Sequence, residues 1–207
     1  TAPIDYAASV VAPVAVALRQ RHPALKIELT AADRVIDLLK EGIDVAIRAG
    51  RLADSSLQAT RIGRFRERLV GRPHQVEAAG PPPRPQDLAG LPFVALSVLA
   101  QPATWTFTSQ TGRSRRTVRF EPALSANTSH AVRSAVLAGG GLAVLPDYAV
   151  KADVASGRLA KVLPGWSLPE SGIYAVFPAA RHRPRKVRAF LEALRMHVER
   201  SGGLPLP

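Results

Sequence analysis

Apolar positions in the first fifty residues follow a helical rhythm, then an extended one, then repeat the pair. Val10, Val14, Ala17 and Leu18 fall at i, i+4, i+7 and i+8 and share one face of a helix. Pro13 lies inside this stretch. It lacks an N–H and crowds the preceding turn, so the helix is expected to start near Ala7 or Ala8, with Pro23 blocking it beyond His22. "LKIELT" alternates and is partly β-branched, which predicts a strand. Asp33 is placed to cap a helix over "RVIDLLKE", with Val35, Leu38 and Leu39 on one face and Gly42 closing it. "DVAIR" predicts the next strand. Helices alternating with strands argue for an α/β fold with a mainly parallel sheet.

The pattern changes after "RERLVGRP". The stretch "HQVEAAGPPPRPQDLAGLP" is rich in proline and turn formers and reads as a crossover. "FVALS" predicts a short buried strand, and "TWTFTSQTGRSRRTVRFEP" a hairpin with "TGRS" at its tip. "ALSAN" predicts a strand that runs into the capping residues Asn127, Thr128 and Ser129. The helix "SHAVRSAVLAG" follows, closed by Gly139, Gly140 and Gly141. Then come a strand "LAVLP", a short helix "YAVKADVASG", and strands "RLAKVLP" and "GIYAVFP". Last is an amphipathic helix whose stripe is Val187, Phe190, Leu191, Leu194 and Val198.

In α/β sheets, ligands sit at the carboxyl ends of strands and at helix N-termini. Asp5-Tyr6, Arg48-Ala49-Gly50, Ser97 and Thr128 fall at such places. The triple glycine follows a helix instead of preceding one, so it reads as a cap and not as a phosphate loop. The five histidines are far apart, no pair has metal spacing, and nothing pairs a nucleophile with a base. These absences argue against catalysis and against a metal or cofactor.

Composition narrows the classes further. The chain has 207 residues, 46% of them apolar, which suits one large domain or two small lobes. There is no cysteine, so no disulfide framework, and no apolar run reaches membrane-spanning length. The net charge of +12 invites a nucleic-acid reading. All but five of the 28 basic residues are arginine, scattered except at "GRSRRTVR" and "RHRPRK", and no groove-reading motif is present.

The order of these pieces resembles the effector-binding domain of LysR-type transcriptional regulators over essentially the whole chain. The resemblance is carried by "RQRHPALKIELT", "DLLKEGIDVAIRAGRLADSSLQATRIG", "RPQDLAGLPFV", "WTF", "SANTSHAVRSAVLAGGGLAVLPDYAV", "SGRLAKVLPGW", "IYAVFPAAR" and "KVRAFLEAL". It implies two Rossmann-like lobes joined by two crossover strands, as in type-2 periplasmic binding proteins. Lobe I would comprise residues 1–71 and 173–207, and lobe II residues 72–172. An effector cleft would be lined by Ile4, Asp5, Tyr6, Arg48, Ala49 and Gly50 from the first lobe. Ser97, Asn127, Thr128 and Pro146 would line it from the second, with Phe177 at the crossover. Family members often carry serine or threonine where this chain has Asp5 and Tyr6, which bears on the charge of the ligand.

The same resemblance implies a homodimer of this domain, with Val10, Val14 and Leu18 of the first helix meeting Val132 and Val136 of a partner. It implies a tetramer for the full-length protein and DNA binding through an N-terminal winged helix-turn-helix absent from this chain. The implied partner is a small-molecule effector, with a carboxylate favoured, and the implied location is the cytoplasm, with no membrane partner. A free solute-binding protein of a transport system shares the fold and is the alternative. What precedes Thr1 would distinguish the two.

Overall fold

The computed structural model describes residues 1–50, 57–78, 84–178 and 184–200. Residues 51–56, the proline run at 81–83 and "RHR" at 181–183 lie outside the described residues. The chain forms two compact units, Thr1–Phe65 with Ser171–Pro207, and Arg66–Glu170. It passes from one to the other inside strand β2 (Gln58–Gly71) and returns at the start of strand β10 (Glu170–Phe177).

In unit 1 the first helix, α1, is continuous over residues 4–21. It is α-helical at Ile4–Tyr6, widens to a π turn at Ala7–Val11, and is α-helical again at Ala12–Arg21. Ala12 N–H bonds Ala7 O, five residues back, immediately before Pro13. The wide turn accommodates the proline, so the helix begins earlier than its sequence predicts. It also changes the buried face, which is Ala7, Val11, Val14 and Leu18; Val10 is half-buried and Ala17 exposed. This face packs against the closing helix α5 (Arg185–Arg200), which buries Val187, Leu191 and Leu194.

Two predicted elements of unit 1 are not formed. "LKIELT" lacks a ladder of its own, and only an isolated parallel bridge joins Ala31 to Ala2. "RVIDLLKE" is a run of turns and irregular backbone, not a helix. Asp33 is otherwise engaged, accepting from Ile4 N–H at 2.9 Å. Asp37 Oδ1 accepts from Leu39 and Lys40 N–H, a local turn that competes with a helix. Ile36 and Leu38 are buried while Val35 and Leu39 are exposed. Strand β1 (Ala46–Ala49) pairs antiparallel with β10, Ala46 opposite Val176.

Unit 2 is a layered α/β unit. Strand β3 (Phe93–Leu96) pairs in parallel with β6 (Pro122–Ala126) on one side. On the other it meets the chain leading into β7 (Ala143–Pro146) through a parallel bridge at Phe93 and Leu142. The end of β2 runs antiparallel to β7, and β8 (Ala160–Lys161) antiparallel to β2. The sheets are therefore mixed, not mainly parallel, because β2 and β10, which carry the chain between units, run against β7 and β1. "HQVEA" forms part of a short helix, α2 (Pro73–Ala78), where the sequence reads as turn.

Continuous apolar runs mark strands buried on both faces. Val70, Val94, Ala143 and Leu145 point to one side, against Val132 and Val136 of helix α3 (Ser129–Leu137) and Val150 of helix α4 (Asp147–Ala155). Leu69, Phe93, Ala95, Leu142 and Val144 point to the other. There they meet Phe107 of β4 (Thr104–Ser109) and Val118 of β5 (Arg115–Arg119), the predicted hairpin. Phe93 and Phe120 stack with centroids 4.2 Å apart. Strand β9 (Trp166–Ser167) completes the three-stranded sheet beside β4.

Candidate functional site

The polar residues predicted in unit 2 come together at one sheet end. Strands β3 and β6 finish side by side, Leu96 opposite Ala126, and Ser97 N–H bonds Ala126 O at 2.8 Å. Ser97 and Asn127 are exposed just beyond these ends. Thr128 is extended (φ −129°, ψ 142°) and caps α3, its Oγ1 accepting from Ala131 N–H at 3.2 Å. That bond uses the acceptor side of the hydroxyl and leaves its proton free to donate. Pro146 ends β7, which runs parallel with β3, and leads directly into α4. The arrangement offers hydroxyl donors and the positive end of a helix dipole at the carboxyl edge of parallel strands, suited to a small anionic or polar group.

In unit 1, Arg48 and Ala49 end β1 and Gly50 follows it, whereas Ile4, Asp5 and Tyr6 lie in a helix and not in a strand-end loop. Ile4, Asp5 and Tyr6 form the first turn of α1, and Asp5 and Tyr6 are buried. Burial pushes the Tyr6 phenol up to about 12. Arg48 is half-buried and donates to Ile36 O at 3.1 Å; desolvation lowers its pKa. It bridges β1 to the irregular segment before it. Gly50 follows β1 with φ +102°, and its N–H bonds Gly172 O. A Cβ there would meet nothing within 4 Å, so the glycine serves the backbone angle and not a close approach.

Phe177 is buried at the end of β10 and lines a cavity of about 230 Å³ with Leu38, Ile43 and Val187. A larger cavity of about 580 Å³ in unit 1 is walled by Val11, Leu18, Leu25, Ile36, Ile47 and Phe190. None of the residues named for the effector lines it. It opens where "LKIELT" and "RVIDLLKE" pack as irregular chain.

The predicted dimer contacts need correction. Val14, Leu18, Val132 and Val136 are each at most 2% exposed and belong to the cores of their own units, so they offer no surface to a partner. Val10 is half-buried. The large apolar side chain that α1 does expose is Val16.

Sequence reasoning missed a carboxyl pair beside Pro146. Glu67 on β2 lies opposite Pro146, and Asp147 Oδ2 accepts from Arg66 N–H at 3.2 Å. Burial first, and the neighbouring charge of Asp147 second, push Glu67 up to about 8. The available signal was an acid inside a strand pattern, "RERLVG", although its neighbour Asp147 is brought near only by the sheet register. The folded state holds this proton more tightly than the unfolded chain. Stability is therefore greatest below the ordinary value of 4.5 and declines as pH rises toward about 8. Glu67→Gln is expected to raise stability at pH 8.5 by about 1–2 kcal/mol, discounted for partial exposure, and to change little at pH 4.5. Thermal unfolding of both proteins across pH checks this; parallel curves would refute it.

Comparison with known proteins agrees with this architecture. A profile of the LysR substrate binding domain matches residues 1–199. The chain is 40% identical over 200 residues to the HTH-type transcriptional regulator PtxR of Pseudomonas aeruginosa, covering 97% of this chain and 64% of that protein. It is 31% identical over 198 residues to an HTH-type transcriptional regulator of Xanthomonas campestris, covering 94% of this chain and 57% of the relative. The chain thus spans less than two thirds of these relatives. Among solved structures, the CrgA regulatory domain of Neisseria meningitidis superposes with a TM-score of 0.82 at 26% identity, covering 94% and 95% of the two chains. The AphB regulatory domain of Vibrio vulnificus gives 0.75 at 29% identity, covering 93% and 94%. These relatives are regulators and not enzymes, and the transport-protein alternative is not favoured. The chain belongs to the LysR substrate binding domain family and has the type-2 periplasmic-binding-protein-like fold of LysR regulatory domains.

Proposed function

We propose that this domain senses a small organic metabolite and passes its occupancy to an N-terminal DNA-binding domain in the intact, cytoplasmic regulator. The observation that carries the reading is the sheet end of unit 2. There Ser97, Asn127 and the Thr128 cap stand together at the carboxyl ends of β3 and β6 and the start of α3. The Thr128 and Ser97 hydroxyls and the positive end of the α3 dipole suit a carboxylate on the effector. Asp147 and the protonated Glu67 beside Pro146 add an acceptor and a donor, which suits a second, hydroxyl-bearing part of the same molecule. On the unit 1 side of this reading, Ile4, Asp5 and Tyr6 shape the start of α1, and Arg48, Ala49, Gly50 and Phe177 brace their own strand ends. The ligand acts only through its different affinity for the regulator's two states.

Thermal-shift screening against metabolite acids, followed by calorimetry on a hit, tests this. Thr128→Val is expected to weaken the hit about tenfold, since one hydrogen bond to a charged group is lost. Unchanged affinity, with no hydrogen-exchange protection near Ser97 or Asn127, would place the site elsewhere.

We also infer a homodimer of this domain, and a tetramer of the full-length regulator, with α1 contributing exposed Val16 instead of its buried face. Val16→Arg is expected to shift sedimentation toward monomer with the fold intact, whereas Val14→Arg should unfold unit 1. A Val16→Arg protein that stays dimeric would refute the assignment of this face.

A further inference from the structure

The three-stranded sheet of unit 2 has two unlike faces. Trp105, Phe107 and Val118 point inward and pack in the core. The alternate residues face out: Thr104 opposite Arg119, Thr106 opposite Thr117, and Thr108 opposite Arg115. Strand β9 sets Ser167 opposite Thr108. Arg113 stands in the hairpin turn, and Arg113, Arg115, Thr117 and Arg119 are all exposed. The Thr106 and Thr117 hydroxyls bond each other at 2.8 Å, which holds the outer face in register.

This face is electrostatically uncompensated. The chain carries no carboxylate between Asp87 and Glu121, and among the described residues no ion pair involves Arg113, Arg115 or Arg119. Elsewhere in the same unit arginines are paired, Arg66 with Glu170 and Arg133 and Arg158 with Asp153. The outward positions of β4 and β5 also hold no aromatic or aliphatic anchor of the kind that carries protein–protein affinity.

We infer that this arginine–threonine face is a docking surface for the phosphate backbone of double-stranded DNA. The inference rests on the chain's place in a DNA-binding regulator. Guanidinium groups pair with phosphate oxygens through two N–H donors at once, and hydroxyls donate to the same oxygens. Arg115 and Arg119 lie on one side of β5, four residues and about 13 Å apart, far enough to engage separate phosphates. Nothing on the face is shaped to enter a groove, so the contact carries no sequence information. Its role is added affinity for DNA already held by the N-terminal domain.

The test uses this 207-residue chain and a mixed-sequence 30-base-pair duplex, followed by fluorescence anisotropy from 50 to 200 mM salt. Wild type is expected to bind weakly, at about 10⁻⁴–10⁻⁶ M near physiological salt, and far more tightly at 50 mM. The triple variant Arg113→Gln, Arg115→Gln, Arg119→Gln is expected to lose at least about tenfold at 50 mM. Its log–log salt slope should fall by about 0.9 for each phosphate contact removed. A second triple variant, Lys40→Gln, Lys151→Gln, Lys161→Gln, removes the same charge from other exposed positions and should leave the slope unchanged. Equal weakening by both variants would reduce the effect to net charge and overturn the proposal, as would no wild-type binding at 50 mM. Displacement of the duplex by poly-glutamate at equal charge would mark an acidic protein as the partner and overturn it too. Effector binding, read separately by calorimetry, should be the same in all three proteins, so failure here is distinguishable from failure of the effector reading.

Discussion

Gly141→Ala is expected to destabilise unit 2 by at least about 3 kcal/mol and to lower its melting temperature by more than about 10 °C. Gly141 has φ +118°, a region that side chains rarely adopt, and an added Cβ would stand 2.2 Å from Pro92 O and 2.5 Å from Pro92 C. Both obstacles are backbone atoms, so no rotamer change relieves them. The contact cannot open, because Leu142 N–H bonds Pro92 O and Val94 N–H bonds Leu142 O, each at 2.8 Å, tying β7 to β3 in the core. Gly112 is the contrast. Its φ is +70°, but a Cβ there would meet nothing within 4 Å. Gly112→Ala should cost only the left-handed penalty of about 1–2 kcal/mol. Circular-dichroism melts of the two variants check the difference, and equal losses would show that the approach to Pro92 is not what requires Gly141.

Asp153→Ala is expected to cost about 3–5 kcal/mol. Asp153 on α4 is fully buried and takes Arg133 of α3 on one carboxylate oxygen and Arg158, just beyond α4, on the other. Removing the acid takes a buried carboxylate away from the largely buried Arg133 charge. The two arginines should not be equivalent. Arg133 is one-fifth exposed and Arg158 more than half exposed, so Arg158→Ala should cost under about 1 kcal/mol and Arg133→Ala clearly more. High salt should restore little in Asp153→Ala, since buried pairs are weakly screened. Urea unfolding of the three variants reads these differences; a loss below about 1 kcal/mol for Asp153→Ala would show that the pair contributes nothing net.

Unit 2 was largely legible before the fold was seen. "FVALS" and "LAVLP" are short apolar runs bounded by turn formers, and each forms a strand. "SHAVRSAVLAG" carries its own cap at Thr128 and its own stop at Gly139, whose φ is +96°, and helix α3 forms between them. The hairpin was marked by alternation on both sides of "TGRS". In each case one local signal set both the element and its inward face. The same signals placed Ser97, Asn127 and Thr128 at strand and helix ends, which is why that part of the site could be named from sequence.

Unit 1 was less legible, for a physical reason that repeats. Asp33 reads as a helix cap, yet its carboxylate accepts from Ile4 N–H, 29 residues away in the chain. Val14 and Leu18 read as a face available to a partner, but α5 covers it. The π turn before Pro13 selected Val11 over Val10, a rotation that a fixed helical period does not anticipate.

The sequence by itself determined the α/β class, the order of most elements, the strand-end position of the polar residues and the excess of arginine. Those properties depend on near neighbours along the chain: period, caps, turns and composition. Only the tertiary structure decided that Glu67 meets Asp147, that Asp153 holds two arginines, and that Gly141 must clear Pro92. Each of these depends on sheet register or helix packing, which joins residues distant in sequence and sets the burial that gives their charges and contacts weight.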